Sequence, residues 1–235
     1  MLPRHIGIIL DGNRRFAREL MKNPWEGHKI GLLKARDVLR WACNIGIRHV
    51  TAYTLSLENI KTRPKKELNY ILKQLEQESK TILNDAKHIV HQMKVRVRFI
   101  GRTNELPEHL ISLFKEVEER TSSYKKHFLN VAVAYGGQQE IIDAAKSIAK
   151  KVSRGEIIAD DIDENVFIQN LYVPNQPMPD LILRTGGDHR LSNFMAFQSA
   201  YSELMFIDKK WPELTEKDFM DAIHEFEVRE RRFGG

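Results

Sequence analysis

One aspartate in this sequence stands directly between an apolar run and two arginines, in the stretch IGIILDGNRRFA. The run predicts a buried strand that ends at Asp11, and a helix is expected to open at Asn13. The free N–H groups at a helix amino terminus favour phosphate, Gly12 permits close approach, and Arg15 adds a planar fork of donors. The phosphate would repel Asp11 unless a cation such as Mg²⁺ bridged the two. The stretch therefore suggests a metal–diphosphate site, although the tripeptide alone is better explained as a helix cap with solvated arginines.

A second cluster of donors, RTGGDHRLSN, follows the predicted strand Asp180–Leu183. Arg184, Arg190 and Ser192 flank its Gly-Gly turn, so their donors could converge on another anion. An exposed basic turn explains the same residues equally well. His189 is a candidate metal ligand or proton donor, but isolated histidines are more often surface groups. The sequence contains no G-x-G-x-x-G, P-loop or HExxH motif and no paired Cys/His spacing that would indicate a structural zinc.

A third group, in the stretch SLEN, follows the second predicted strand and supplies Ser56, Glu58 and Asn59. Ser56 is a candidate for relaying a proton, whereas Glu58 could equally cap a helix or pair with a nearby lysine.

The elements that must position these residues alternate along the chain. Predicted strands are His5–Leu10, Arg48–Leu55, Lys94–Ile100, Phe128–Tyr135, Asp180–Leu183 and Leu204–Ile207. Predicted helices are His28–Cys43, Lys65 to about His91, Pro107–Tyr124, Gln138–Lys151, Asn193–Tyr201 and Thr215–Arg232, the last with a capping-box pattern at Thr215 and Asp218. This alternation, without repeats or linkers, predicts one α/β domain over residues 1–235 with a mostly parallel sheet.

In such a sheet ligands bind beyond the carboxyl ends of the strands. Asp11, Ser56, Arg184 and the segment Tyr135–Gly137 all fall at predicted strand ends, so one rim should gather them. The long helix that begins at Lys65 carries an apolar stripe, which is either ordinary core or the wall of an apolar cleft. Two anion sites beside an apolar cleft would suit substrates with diphosphate heads and hydrocarbon tails.

Composition narrows the class of protein. The chain has 235 residues, 42% of them apolar, which is enough for a substantial core. The chain has a single cysteine, and its apolar amino-terminal stretch is too short for a signal peptide or a membrane-spanning helix. Both features predict a soluble, cytoplasmic protein. The net charge of +5 mixes 37 Lys and Arg with 32 acids, which argues against a nucleic-acid partner and favours local anion sites.

At this point the sequence resembles the cis-prenyltransferases, the undecaprenyl-diphosphate synthase family. The matching stretches are HIGIILDGNRRFA, GHKIG, YTLSLEN followed by RP, VAYGG, LILRTGGDHRLSNFMAFQSAYSEL, WPEL and the final RERRFGG, in the family's order. The resemblance implies an α/β fold with a sheet of about six strands surrounded by helices, an apolar tunnel and a homodimer. It also implies Mg²⁺-dependent addition of isopentenyl diphosphate to an allylic diphosphate (dimethylallyl, geranyl, farnesyl or geranylgeranyl), giving cis double bonds and a lipid product that could bring transient membrane contact.

The resemblance carries roles over residue by residue. Asp11 matches the aspartate that handles Mg²⁺ and the allylic diphosphate, and His189 and Glu203 match residues near the metal, Glu203 reaching it across the dimer. Asp11, Asn13 and Ser56 are the expected catalytic residues, with the released diphosphate as an alternative proton acceptor. The expected substrate-binding residues are Gly12, Asn13, Arg14, Arg15, Phe16, His28, Ser56, Glu58, Asn59, Arg63, Arg184, Arg190, Ser192 and Arg232. Arg232 and Gly234 match a terminal element that completes the partner subunit's site.

The sequence also departs from the family pattern at several positions. Arg14 replaces a glycine, Phe16 a tryptophan, Pro24 a diphosphate-binding arginine, Ile60 an aromatic residue and Asp188 a glutamate, while Thr62 is an extra residue. These changes leave the allylic substrate and the product length open. They also admit two alternatives, namely a family variant with another acceptor or mode of condensation and a non-catalytic partner subunit.

Overall fold

A computed structural model describes residues 1–229 of the chain, and its centre is a sheet of six parallel strands. The strands are β1 (His5–Ile9), β2 (His49–Ser56), β3 (Val95–Ile100), β4 (His127–Tyr135), β5 (Leu181–Thr185) and β6 (Glu203–Ile207). Their order across the sheet is β3-β4-β2-β1-β5-β6. The predicted α/β class and all six predicted strands are confirmed, with ends that shift by one or two residues.

Helices cover both faces of this sheet. They are α1 (Asn13–Glu19), α2 (Gly27–Asn44), α3 (Leu57–Thr62), α4 (Lys65–Asn84), α5 (Ile89–Gln92), α6 (Glu108–Arg120), α7 (Gly137–Ser153), α8 (Glu164–Ile168) and α9 (Glu216–Val228), with 3₁₀ turns at Thr103–Glu105, Ala159–Asp161 and Trp211–Glu213. No helix within residues 1–229 is both long and apolar enough to cross a membrane.

The central strands form the core because every residue of β1 and β5 is buried. Strands buried on both faces read as continuous apolar runs, which is the pattern that predicted them. On one face Ile6 and Ile8 pack with residues of α2 and α9, and on the other Ile9 packs with Tyr53 and Phe194. The sheet therefore lies between two apolar layers.

The predicted helix from Lys65 to about His91 is wrong in its extent, because the chain breaks between α4 and α5. Asp85 has an extended conformation (φ −110°, ψ 100°), and its carboxylate accepts a hydrogen bond from the N–H of Lys87 at 2.8 Å. His88 then caps α5, its Nδ1 accepting from the N–H of Val90 at 3.3 Å. A side chain that bonds its own backbone competes with the helical ladder, and here it ends the helix.

The predicted helix Asn193–Tyr201 is also wrong, because this segment is a series of turns. Ser192, Asn193 and Met195 have φ values of 51°, 62° and 46°, which lie outside the right-handed helix. This path buries Phe194 and Met195 and lets Asn193 hold the start of α7. The Asn193 carbonyl accepts from the N–H of Gly137 at 2.7 Å, and its side-chain oxygen accepts from the N–H of Gln138 at 2.8 Å. Tertiary contacts have overridden a helical pattern.

The last helix begins as predicted. Thr215 and Asp218 form a reciprocal capping box, since the Thr215 hydroxyl accepts from the N–H of Asp218 and the Asp218 carboxylate accepts from the N–H of Thr215. The helix ends at Val228, before the predicted end at Arg232, which lies outside the described residues. The short helices α3 and α8 were not predicted.

The sheet register aligns the strand ends that matter for function. Ile9 of β1 is level with Tyr53 of β2 and with Arg184 of β5. The residues that follow β1, β2 and β5 therefore meet at one edge, as the order of elements predicted.

Candidate active site

An open cleft of about 830 Å³ lies at this edge of the sheet. Thirteen of the predicted site residues line it, namely Asp11, Gly12, Asn13, Arg14, Arg15, His28, Ser56, Glu58, Asn59, Arg63, Arg184, Arg190 and Ser192. The structure thus collects residues from four separate stretches of sequence around one space.

Asp11 owes its position to backbone contacts on both sides. Its carbonyl oxygen accepts hydrogen bonds from the N–H of Trp211 at 2.8 Å and from the Thr185 hydroxyl at 2.9 Å. Gly12 follows with φ 103°, and a Cβ at that position would lie 2.6 Å from Cβ of Lys210. A glycine is therefore required for the chain to turn from β1 into α1 against this loop.

Arg184 joins the first and second predicted anion sites. Its side chain is only 4% exposed, and one terminal guanidinium nitrogen lies 2.7 Å from the Asp11 carboxylate. The other terminal nitrogen donates to the Ser192 hydroxyl at 2.8 Å and to the Arg190 carbonyl. A guanidinium with fixed partners on both arms is held rigidly, and it fixes the Asp11 carboxylate in turn.

These contacts keep Asp11 ionised. Burial alone would raise the pKa of its carboxyl, but the hydrogen bond and charge of Arg184, the Gly12 N–H and the charge of Arg15 lower the pKa below its usual value. The Asp11 side chain keeps 30% of its surface exposed toward the cleft. An ionised, accessible carboxylate is the donor that a hard divalent cation prefers.

Asp188, which was not predicted as a site residue, contacts three arginines in the cleft. Arg190 donates to its carboxylate at 3.1 and 2.9 Å, while Arg184 and Arg15 lie 3.5 and 3.6 Å from it. Glycine at position 186 allows these side chains to come close together, since a Cβ there would lie 2.7 Å from the Arg15 guanidinium. Its φ of 92° also favours glycine. Of these arginines only Arg190 lies in the same turn as Asp188, so the adjacency of Asp188 to the Gly-Gly turn was the available signal.

A second buried carboxylate, Glu67 of α4, holds the opposite side of the cleft and was also missed. Its Oε1 contacts Arg63, lies 3.3 Å from Nε2 of His28 and lies 3.6 Å from Nε of Arg14. Arg14, the residue that departs from the family glycine, therefore faces this cluster. The spacing of Arg63 and Glu67, four residues apart, was the sequence signal for their contact.

Burial and the charged groups of this cluster shift the pKa values of both Glu67 and His28. The hydrogen bond from His28 and the charges of Arg63 and Arg14 overcome burial and lower the pKa of Glu67 to about 2. Burial, opposed by the contact with Glu67, lowers the pKa of His28 below its usual value, so the ring is neutral at pH 7.

The loop after β2 closes another part of the rim. The Ser56 hydroxyl caps α3 by accepting from the N–H of Asn59 at 3.0 Å. Glu58 accepts from the side-chain amide of Asn193 at 2.8 Å, which connects this loop to the turns after β5. The Tyr53 hydroxyl donates to the Ser192 carbonyl at 3.2 Å and strengthens the same connection.

Asn13 and Phe16, both on α1, differ in their relation to the cleft. The Asn13 amide nitrogen donates to the Leu10 carbonyl at 2.9 Å, while its Oδ1 is buried without a partner in the described part of the chain. Phe16 is half-buried and is not among the residues that line the cleft.

The predicted metal residues other than Asp11 lie elsewhere. The exposed His189 ring stacks on Phe206 at 4.7 Å, and Glu203 pairs with Arg229 at 2.9 Å. Glu203 is level with Leu181 and Ile6 at the start of the strands, so Asp11 lies about 16 Å further along the sheet. Within residues 1–229 no group of three His, Cys, Asp or Glu side chains is placed to hold a metal, and Arg232 and Gly234 lie outside the described residues.

The cleft opens into an apolar cavity of about 100 Å³ between the sheet and helices α2 and α4. The two spaces share a ring of mostly apolar residues, Leu10, Leu32, Ala35, Thr54, Leu75 and Trp211. Six arginines line the polar cleft (14, 15, 18, 63, 184 and 190), and four carboxylates offset them, those of Asp11, Glu58 and Asp188 in the lining and that of Glu67 beside it. A surplus of guanidinium groups next to an apolar space fits an anionic head joined to a hydrocarbon tail.

Comparison with known proteins agrees with this arrangement. A family model described as putative undecaprenyl diphosphate synthase matches residues 9–234. A tritrans,polycis-undecaprenyl-diphosphate synthase (geranylgeranyl-diphosphate specific) from Methanopyrus kandleri is 50% identical over 233 residues, covering 99% of this chain and 85% of the relative. The protein of the same description from Methanocaldococcus jannaschii is 48% identical over 235 residues, covering 99% and 83%.

Two solved structures are similar over the whole chain. Lavandulyl diphosphate synthase from Lavandula x intermedia, in complex with dimethylallyl diphosphate, has a TM-score of 0.93 and 34% identity and covers 100% of this chain and 99% of its own. A probable undecaprenyl diphosphate synthase from Campylobacter jejuni has a TM-score of 0.81 and 30% identity, with the same coverage.

The Glu67 cluster predicts a pH-dependent contribution to stability. The pKa of Glu67 falls from 4.5 to about 2 on folding, so its stabilisation is complete above pH 4.5 and is lost as the pH falls toward 2. Glu67→Gln should lower the free energy of unfolding by about 2–4 kcal/mol at pH 7, because the largely buried guanidinium of Arg63 loses its counter-charge. The difference from the parent should shrink at pH 3, as measured by urea denaturation.

Glu76→Gln provides the matched control, since Glu76 lies on the same helix and pairs with the exposed Lys80. It should leave the free energy of unfolding unchanged. A Glu67→Gln protein as stable as the parent at pH 7 would contradict the assigned role of this carboxylate.

Proposed function

The chain belongs to the undecaprenyl diphosphate synthase family of cis-prenyltransferases, and from this premise we propose its primer, metal, assembly and place of action. As a member of this family it condenses isopentenyl diphosphate with an allylic prenyl diphosphate. The observation that carries the proposal is the surplus of arginines in a cleft that continues into an apolar cavity. Such a site binds a diphosphate and accommodates the hydrocarbon attached to it.

The proposed primer is geranylgeranyl diphosphate and the proposed product is an undecaprenyl diphosphate. Both are supported by relatives of 50% and 48% identity whose names specify this primer and product. We place the allylic diphosphate against Arg15 and the two arginines beside Glu67, which are Arg14 and Arg63. We place isopentenyl diphosphate against Arg184, Arg190 and Ser192.

The proposed metal is Mg²⁺, and the residues present fit it. Mg²⁺ is usually bound by one or two carboxylates together with substrate phosphates, and Asp11 and Asp188 share the guanidinium of Arg184 at the cleft wall. When bound there, the cation would neutralise the allylic diphosphate and assist its departure. Asp11 would hold it, and its lowered pKa keeps the carboxylate available at neutral pH.

The chain's own residues contribute position and charge to the proposed reaction. A bond forms between C4 of the isopentenyl unit and C1 of the allylic unit, the C1–O bond breaks, and a proton leaves C2 of the isopentenyl unit. Arg15, which lies 3.4 Å from the Asp11 carboxylate, stabilises the negative charge that develops on the departing allylic diphosphate, while Arg184 holds the diphosphate of the isopentenyl unit. The amide oxygen of Asn13 is a weak base, so we assign the proton to the released diphosphate and an orienting role to Asn13.

The proposed assembly is a homodimer. β6 is an edge strand of the sheet. Tyr201 and Leu204 lie at or near this edge and are 71% and 38% exposed, and Val228 at the end of α9 is 66% exposed. Large exposed apolar side chains beside a free sheet edge favour association. Since Glu203 lies at the far end of the sheet from Asp11 within one chain, its proposed role near a metal requires a second copy.

The proposed compartment is the cytoplasm, supported by a single buried, unpaired cysteine, Cys43. Membrane contact is proposed only at product release, where a long hydrocarbon must leave water.

The first experiment combines the purified protein with labelled isopentenyl diphosphate, Mg²⁺ and allylic primers of C5, C10, C15 and C20. After dephosphorylation, products are separated by length. The C20 primer should be extended most efficiently, to a C55 alcohol with cis double bonds, and EDTA should stop the reaction. A preferred shorter primer would overturn the choice of geranylgeranyl diphosphate, and absence of any product would favour a non-catalytic partner subunit.

A second candidate function is branched condensation of two dimethylallyl units. The TM-score of 0.93 to lavandulyl diphosphate synthase favours its consideration. The same assay decides, because this activity would give a branched C10 alcohol from dimethylallyl diphosphate alone.

Asp11→Asn should lower turnover at least about 100-fold, because the metal and the diphosphate lose the charge that holds them. The melting temperature should stay close to that of the parent, since the amide oxygen of Asn can still accept from Arg184, which also keeps its contacts with Ser192 and Asp188. Asp37→Asn is the control, as Asp37 forms an exposed pair with Arg40 on α2. Turnover within a fewfold of the parent would rule out the metal–diphosphate role of Asp11.

The parent should sediment as a dimer of about 55 kDa, twice the 27.4 kDa chain. Leu204→Arg should produce monomers, because it places a charge on the exposed edge. Leu33→Arg introduces the same charge at a position on α2 that is 52% exposed and should remain dimeric. A parent that sediments as a monomer at micromolar concentration would contradict the proposed assembly.

A further inference from the structure

Three ionisable side chains form a cluster in the wall of the apolar cavity, away from the diphosphate cleft. Arg36 of α2, Glu78 of α4 and His88, which precedes α5, line the cavity together with mostly aliphatic residues. None of the three was identified from the sequence, and none lines the cleft that contains Asp11.

The geometry of this cluster links three elements. Nε of Arg36 donates to Oε1 of Glu78 at 2.8 Å, and a terminal guanidinium nitrogen donates to Oε2, so the pair is bidentate. Nε2 of His88 lies 3.0 Å from Oε1 of Glu78. The side chains are 30%, 14% and 2% exposed for Arg36, Glu78 and His88, so the cluster extends from the seam between α2 and α4 toward the cavity. We call these three residues the clasp.

The electrostatics favour the ionised forms of Arg36 and Glu78. The hydrogen bond and charge of Glu78 raise the pKa of Arg36 despite burial. Burial raises the pKa of Glu78, but hydrogen bonds from His88 and Arg36 outweigh it and lower that pKa below its usual value. A buried ion pair adds little stability compared with well-packed apolar residues of similar size, but removing one partner leaves an unpaired buried charge and is strongly destabilising.

The cavity is small relative to the substrates of the family. A cavity of about 150 Å³ accommodates one benzene molecule, so a space of about 100 Å³ holds only a few carbon atoms of a prenyl tail. A growing chain must therefore displace part of the wall. The floor is a parallel sheet joined by backbone hydrogen bonds, and α4 packs more extensively against α6 than against α2. The seam between α2 and α4, where the clasp lies, is therefore the less extensively packed side of α4.

We propose that the clasp formed by Arg36, Glu78 and His88 sets the length of the polyprenyl product by resisting separation of α2 and α4 as the hydrocarbon chain grows. The inference rests on the proposed function, since it requires a prenyl chain in the cavity. Elongation ends when the energy needed to open the seam exceeds what burial of the next isoprene unit supplies. The three residues determine product specificity and have no contact with the reacting atoms.

The test compares product lengths of Glu78→Gln and the double variant Arg36→Met/Glu78→Leu with those of the parent, at equal incorporation of labelled isopentenyl units. Glu78→Gln removes the charge and keeps the shape, while the double variant replaces the ion pair with apolar side chains of similar size. Glu78→Gln, which leaves Arg36 without its counter-charge, should shift the product distribution upward by at least one C5 unit, whereas the double variant should give products no longer than those of the parent, because an apolar pair holds the seam at least as firmly. Glu76→Gln, which breaks the exposed pair with Lys80 on the same helix, should give the parent distribution. A merely destabilised enzyme would lose product at all lengths without a shift.

A second measurement works without turnover. Binding of non-reactive alkyl diphosphates with tails of C5 to C20 is measured by calorimetry. The ratio of the affinity for the C20 analogue to that for the C5 analogue should be at least about fivefold higher in Glu78→Gln than in the parent, because the seam opens at lower energy. The double variant should keep the ratio of the parent. Unchanged product lengths in Glu78→Gln together with an unchanged ratio of affinities would overturn the role of the clasp. A parent that makes no polyprenyl product but binds the analogues would instead contradict the proposed function alone.

Discussion

The contact between the Arg184 guanidinium and the Asp11 carboxylate is the interaction on which the site depends. It joins the end of β1 to the end of β5 and, through Ser192 and the Arg190 carbonyl, to the turn that follows. Both terminal nitrogens of this nearly buried guanidinium donate to groups of the site, whereas its Nε has no partner within the described residues. Folding of the sheet thus places a carboxylate and several cations together before any substrate binds, which reduces the reorganisation needed during reaction.

Two carboxylates on opposite sides of the cleft offset part of the positive charge of its arginines. Asp188 contacts Arg15, Arg184 and Arg190, and Glu67 contacts Arg63 together with Arg14 and His28. Without these acids the guanidinium groups would repel one another in a partly desolvated space. The remaining positive charge attracts polyanions, while the acids fix where the cations lie. A similar pairing of carboxylate and arginine occurs between Glu78 and Arg36 in the wall of the apolar cavity, where the ion pair positions helices instead of substrate.

Much of the fold was predictable because its signals are local. Buried parallel strands are continuous apolar runs, and β1 and β5 were found in this way. Candidate site residues were predictable because parallel strands bring their carboxyl ends to one edge, so Asp11, Ser56 and Arg184 had to be neighbours. The segment from Asn193 to Tyr201 failed because its apolar spacing fits a helix, whereas burial of Phe194 and bonds to α7 impose turns.

The sequence by itself determined the class of fold, the edge that carries the chemistry, and the family of the chain, because periodicity, strand ends and motifs are properties of short stretches. Only the tertiary structure decided which charges meet. Glu67 and Asp188 each have a partner close in sequence, Arg63 and Arg190, but their other partners and those of Glu78 come from other elements. It also decided that Glu203 lies far from Asp11 within one chain. Side-chain pairing between distant segments depends on sheet register and helix packing, which no local pattern encodes.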